Sequence, residues 1–267
     1  KPLPNDVIIS PYAKSGTTWM QQIAHGLRTR GSMDFDEITE VTPWIEIAHI
    51  MGWDLDAPQV AEPRVFKSHL NWNNVPKGAR YINVFRNPRD VMVSFYRFLE
   101  GWWIEPGSIS LEALTRWRWP REKMDEQGYW QHLLSWWEQR HNQNVLLLCY
   151  EDMKVDLPQA VRQVARFMEI ELDEALLKKI LYQSSREFML DHSNQFDESF
   201  MRRHGEERAG LPPGGDSMKV TAGAPDRSRY KISAELNQEL DDIWREQIGA
   251  KLGFRDYDEL CRALKET

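Results

Sequence analysis

Residues 7–19 place the tightest limit on what this chain can become. Val7, Ile8 and Ile9 form a short apolar run. A loop holding Lys14, Gly16 and the hydroxyl residues Ser15, Thr17 and Thr18 follows, and then a helical apolar pattern of Trp19, Ile23 and Leu27 takes over. The reading is strand, loop, helix. Such a loop aims backbone N–H groups at the positive end of a helix toward whatever lies before it; Gly16 permits close backbone approach and Lys14 adds a full charge. The natural occupant is an anion. The pattern is not a Walker A loop, because the Lys precedes the Gly and a second Gly is missing, so a phosphate chain must lie differently here.

The rest of the chain extends the same alternation. Strand-like runs recur at 7–10, 64–69, 80–86 and 144–150, each short, apolar and rich in β-branched or aromatic residues. Helical patterns cover 17–30, 88–99, 129–140, 157–168, 173–182, 233–252 and 257–265. Strands alternating with helices require crossover connections. The expected fold is therefore α/β: a single domain over 1–267 with a central, largely parallel β-sheet flanked by helices on both faces. In such sheets ligands sit beyond the carboxyl ends of the strands. The Gly- and Pro-dense stretch 205–225 is expected to be loop, mobile without ligand.

Three further segments place chemistry at strand ends. The second strand closes on Lys67-Ser68-His69, where an imidazole could take a proton from a hydroxyl or simply be hydrogen-bonded in a loop. The third runs into Arg86-Asn87-Pro88, with Pro88 suited to a first helical turn and Asn87 to its cap, so that Arg86 and Ser94, about two turns on, can face one phosphate. Arg89 and Asp90 read as a solvated or helix-end pair. The fourth leads to Tyr150-Glu151-Asp152. Adjacent carboxylates on an extended strand point to opposite faces, so capping and local pairing explain them better than a shared metal. No metal is expected.

The net charge of −7 argues against a general nucleic-acid binder, which needs a basic face, so any anion site must be a local basic pocket. Cys149 and Cys261 are the only cysteines and suggest no disulfide framework, which fits a reducing cytoplasm. No apolar run approaches the ~20 residues that span a bilayer, so stable membrane insertion is not expected. Because residue 1 is Lys, a preceding segment is left open. Among twelve Trp, those scattered through 36–63 and 102–120 read as irregular walls for an apolar ligand, with the W-R-W-P run interrupting any helix. Trp130, Leu133, Leu134, Trp136 and Trp137 sit at helical spacing and read as core.

These segments, in this order, resemble the cytosolic sulfotransferases. That family opens with Y-P-K-[ST]-G-T-T-W, matched at seven of eight positions with Ala13 in place of Pro, and continues with K-[TS]-H, R-N-P-[KR]-D-x-x-x-S and Y-E-D-M-K. The resemblance implies a P-loop-like nucleotide fold. It also implies transfer of a sulfuryl group from PAPS to a hydroxyl, or less readily an amine, of a small and largely apolar acceptor, leaving PAP. It implies His69 as base, with Lys14, Lys67 and Ser94 completing the catalytic set. Lys14, Ser15, Gly16, Thr17, Thr18, Trp19, Arg86, Ser94, Tyr150, Ser184, Arg202, Arg203 and Gly205 would hold the nucleotide. Arg186 stands where the family has an adenine-stacking aromatic, for which Trp19 or Phe188 would have to compensate, and His204 looks inserted before Gly205. The family's dimer signature is not recognisable around 227–236, which leaves monomer or homodimer open. Two other readings are an ATP-dependent P-loop phosphotransferase, opposed by the missing G-K-[ST] and the lack of an evident magnesium carboxylate, and a nucleotide sensor that has lost catalysis.

Overall fold

The computed structural model describes residues 1–102, 104–122, 125–200, 202–203, 210, 219–220 and 230–267, with backbone alone for 101–102 and 120–122. Four strands, β1 (Val7–Ile9), β2 (Val65–Lys67), β3 (Arg80–Phe85) and β4 (Val145–Cys149), pair in the order β2-β1-β3-β4. Every pairing is parallel, with Ile8 opposite both Phe66 and Tyr81, and Phe85 opposite Cys149. All four carboxyl ends therefore open on one side.

The helices that fix the site are α1 (Thr17–Arg28), α2 (Pro88–Trp102), α3 (Leu111–Glu122), α4 (Tyr129–Trp137), α5 (Tyr150–Val155), α6 (Leu157–Phe167), α7 (Glu174–Gln183), α8 (Arg186–Asp191), α9 (Ala234–Trp244) and α10 (Tyr257–Leu264). Strand periodicity decides which of them pack on which face. Val7, Ile9, Ile82, Val84 and Leu148 form one core with Met20, Ile23 and Leu27 of α1, Val161 and Val164 of α6 and Ile180 of α7. Their neighbours Ile8, Tyr81, Phe85, Leu147 and Cys149 turn the other way, onto Val91, Trp130, Trp136, Trp244 and Leu260. Helices thus cover both faces, as the alternation predicts. Among the described residues no helix is long and apolar enough to cross a membrane.

Three local expectations need correction. Residues 111–122 are helix and not irregular wall: Leu111, Leu114 and Trp119 are buried on α3, and tertiary packing outweighs a Pro confined to its last turn. Tyr150 opens a helix, α5, rather than closing a strand, so Glu151 and Asp152 lie in a helical first turn. The expected long helix from 233 is interrupted after Trp244 by a π-turn at Arg245–Gly249.

The cysteines also depart from expectation, since Cys149 and Cys261 are joined as a disulfide. They are separated by 112 residues in sequence, but the end of β4 and the face of α10 share one core, which brings their Cα atoms to 6.2 Å. Alongside it the Glu151 carboxylate accepts from Tyr257 Oη at 2.8 Å and from the Asn87 N–H at 3.1 Å, and Asp152 pairs with Lys265 at 2.7 Å. Capping and pairing are what the two carboxylates do.

Candidate active site

A cavity of about 900 Å³ opens at the strand ends. Among the described residues eight cationic side chains line it, including Lys14, Lys67, Arg86, Lys154 and Arg186, against three carboxylates, Glu46, Asp125 and Glu198. A chain of net charge −7 thus holds the local basic pocket that anion binding requires.

The loop after β1 supplies one wall. Gly16 adopts φ +97° at the cap of α1, and a Cβ there would lie 2.8 Å from the Tyr150 ring, so glycine is required both by conformation and by the neighbour. Lys14 takes φ +68°. Its carbonyl accepts from an Arg86 guanidinium N–H at 2.7 Å, and its ammonium sits 4.1 Å from the centre of the Phe98 ring. Burial, reinforced by Lys219, pushes the Lys14 pKa down to about 7. Gly16, Thr17, Thr18 and Trp19 line the cavity, whereas Ser15 is fully buried beneath the loop.

His69 also lines the cavity. Its Nδ1 is 2.8 Å from the Pro11 carbonyl, which can only accept, so Nδ1 carries the proton and Nε2 keeps the lone pair. Burial, with Lys67 beside it, drives the imidazole pKa down to about 3; the ring is neutral at pH 7. Glu46 fixes the main chain here, accepting the His69 N–H at 2.6 Å, and Trp44 packs edge-on against the ring at 5.2 Å. Lys67 is buried, with its ammonium 3.7 Å from the centre of the Trp44 ring and in contact with Glu198; desolvation, partly offset by that carboxylate, lowers its pKa to about 8. Behind them the Ser10 carbonyl accepts from Asn83 Nδ2 at 2.7 Å and lies 3.1 Å from His132 Nε2, which pins the turn that presents the Pro11 carbonyl.

Arg86, Ser94 and Tyr150 meet the same cavity from β3, α2 and α5, with the Arg86 guanidinium stacked 4.3 Å from the Tyr150 ring centre. Ser184 lies on the wall, its carbonyl accepting from Trp19 Nε1 at 2.8 Å. Trp19 also packs edge-on against Tyr150 at 5.5 Å, while Phe188 is buried on His192 away from the cavity, so Trp19 alone can serve as the second aromatic beside Arg186. Arg202 is buried and Arg203 exposed over Phe200, and neither is on the cavity wall. Gly205 and most of 205–225 lie outside the described residues.

The far wall was only partly expected. Trp44 is the one Trp of 36–63 that lines the cavity, Trp117 is exposed and Trp119 is core. The side chains of Trp102 and Trp103 are outside the described residues. Phe95 and Phe98 take the place assigned to those tryptophans. Nothing in the local pattern marks them, because an aromatic one or four residues after Ser94 on a helix reads equally well as core. Tyr12 closes the wall, its hydroxyl accepting from Arg118 at 2.9 Å.

A parallel sheet whose strand ends gather a cationic cradle and a neutral imidazole defines an α/β transferase for an anionic group donor. A sulfotransferase domain model matches residues 4–251, and the chain belongs to that family. It is 32% identical over 201 residues to sulfotransferase 1B1 of Canis lupus familiaris, covering 71% of this chain and 67% of the relative. It is 27% identical over 254 residues to the amine sulfotransferase of Oryctolagus cuniculus, covering 91% and 81%. Among solved structures it resembles retinol dehydratase in complex with androsterone and inactive cofactor PAP, at TM-score 0.73 and 18% identity, over 97% of this chain and 84% of that one. The PAPS-dependent transfer implied by the motifs stands with this membership.

Proposed function

We propose that the cavity binds PAPS along Lys14–Trp19, Arg86, Ser94, Tyr150 and Ser184, and that His69 removes the proton of an acceptor hydroxyl as it attacks the sulfur. The supporting observation is the pairing of a neutral imidazole, held with Nε2 unprotonated, with Lys14 and Lys67 in one cavity. The acceptor oxygen forms a bond to sulfur while the bond from sulfur to the 5′-phosphate oxygen breaks. The proton passes to Nε2, the bonding electrons leave with PAP, and Lys14 meets the charge that grows on that oxygen. Arg86 and Ser94 take the 3′-phosphate. Arg202, Arg203 and Gly205 complete the proposed nucleotide-binding set.

The acceptor is a small, largely apolar alcohol or phenol seated against Trp44, Phe95 and Phe98, with an amine as the second choice. Residues 1–267 act as one unit, as monomer or homodimer, which light scattering distinguishes. A cytoplasmic location completes the proposal. The Cys149–Cys261 pairing weighs against it, because disulfides are rare in reducing compartments. Counting thiols on protein alkylated at the moment of cell lysis decides: two fit a reducing compartment and none an oxidising one. The primary experiment is calorimetric titration with adenosine 3′,5′-bisphosphate beside ADP. Micromolar binding of the former with ADP far weaker is expected, and equal binding of the two removes the 3′-phosphate pocket from the proposal.

A further inference from the structure

Glu198 is a carboxylate in the wrong place for an anion site. It is 3% exposed, it lines the same cavity as Lys14 and Lys67, and it makes ion pairs with both Lys67 and Lys219. Burial alone would raise its pKa, but the ammonium groups of Lys219 and Lys67 outweigh that and hold the carboxyl well below its usual range. The carboxyl is therefore ionised at neutral pH.

The segment that carries Glu198 is anchored. Glu37, itself buried, accepts from Ser199 Oγ and from the Phe200 N–H, each at 3.0 Å, and the Glu198 carbonyl accepts the Arg202 N–H at 3.0 Å. Glu198 and Arg202 thus belong to one turn. An anionic nucleotide end that reaches Lys67 finds a carboxylate already there. Two anions on one desolvated ammonium repel strongly, because the low local dielectric that strengthens each ion pair strengthens their repulsion as well. One of them must leave. With the cavity empty, the same carboxylate offsets the mutual repulsion of Lys67, Lys219 and Lys14.

We propose that Glu198 is an internal counter-anion that occupies Lys67 and Lys219 until the 5′ end of the donor displaces it, and that its return to these lysines helps to expel the product. Glu198 thereby sets donor affinity against turnover. The proposal rests on the reading that Lys67 meets the 5′ end of the nucleotide.

The test compares adenosine 3′,5′-bisphosphate with adenosine 3′-monophosphate, which lacks the 5′ group, on Glu198→Gln. Removal of the competitor should tighten the bisphosphate by about tenfold, a difference of about 1.4 kcal/mol, and leave the monophosphate within about twofold. In steady state with PAPS, the KM for the donor and kcat should both fall, as they do when product release slows. Unchanged or weaker bisphosphate binding overturns the proposal. So does equal tightening of both nucleotides, which would mark only a change in the general field. If the Gln variant fails to fold, as its unfolding transition would show, Glu198→Asp decides instead. Its carboxylate is one methylene short of the lysines, and it must tighten the bisphosphate selectively or the proposal fails. Lys67→Met tests the underlying reading separately: it should weaken the bisphosphate and spare the monophosphate, and if it spares both, Lys67 does not meet the 5′ end.

Discussion

The two ends of the cavity that the proposal assigns to donor and acceptor are built differently. The donor end consists of strand termini and the backbone turns that leave them: the loop at Lys14–Trp19, Arg86 at the close of β3, and Tyr150 after β4. Its groups are held by main-chain bonds, such as that from Arg86 to the Lys14 carbonyl. The acceptor end consists of side chains on helix faces and on an irregular segment: Phe95 and Phe98 on α2, Arg118 on α3, and Trp44 before a short 3₁₀ turn. The first end is specified by backbone geometry and the second by packing. A change of side chain at Phe95 can therefore alter what is accepted and leave the donor site standing, whereas Trp44 and Phe98 also lie against the ammonium groups of Lys67 and Lys14. His69 lies at the junction, tied by its own main chain to Glu46 and by its ring to Pro11.

The sharpest break in this division is expected at that junction. His69→Ala should cut kcat by about 10²–10⁴ while adenosine 3′,5′-bisphosphate binds as before, since the role proposed for the imidazole is to move a proton and not to hold the nucleotide. Turnover within a few-fold of the parent would remove it as base. At the donor end, Gly16→Ala forces an L-residue to φ +97° and pushes a methyl into Tyr150. At a strain of about 1–3 kcal/mol, bisphosphate affinity should drop by about ten- to a hundredfold with the acceptor KM unmoved, and calorimetry beside acceptor kinetics reads both.

The pH response belongs to the donor end as well. In the free protein Lys14 titrates at about 7 and Lys67 at about 8, each depressed chiefly by burial. The bound polyanion favours the charged ammonium, so binding takes up protons above neutrality, and affinity should weaken by about two to three orders of magnitude as pH rises from 7 to 9. At pH 8, binding enthalpies in buffers of different ionisation heat should differ by the equivalent of about 1.4 protons taken up. Identical enthalpies would mean that the lysines are charged before the ligand arrives. The smallest effect is expected at the acceptor end, where Phe95→Ala should raise the acceptor KM by up to about tenfold through lost apolar contact. The bisphosphate should bind it unchanged. A comparable loss of donor affinity would show that the two ends are not separable.

The same division explains what could be read from the sequence. Gly16, Lys14, Arg86 and the Lys67–His69 run were legible because backbone-defined sites leave short, ordered motifs, and parallel strands with alternating burial leave a periodic one. Phe95, Arg118, Asp125 and Glu198 were not, since nothing in the local pattern distinguishes a helix-face aromatic that lines a cavity from one that packs in a core. The helix at Leu111–Glu122 was missed for a related reason: burial of Leu114 and Trp119 decides it, and that burial is supplied by elements remote in the chain. The Cys149–Cys261 pairing, long-range in the same way, overturned an inference drawn from cysteine number alone.

The last helix has a consequence for how the protein is made. Tyr257 and Cys261 back the turn that carries Tyr150, and Tyr257 shares the Glu151 carboxylate with the backbone of Asn87. A chain emerges from the ribosome from its N-terminus, and its early elements begin to fold while later ones are still being synthesised. Residues 7–19 are thus exported first, but the turns that complete their pocket stay unbraced until 257–261 have cleared the exit tunnel.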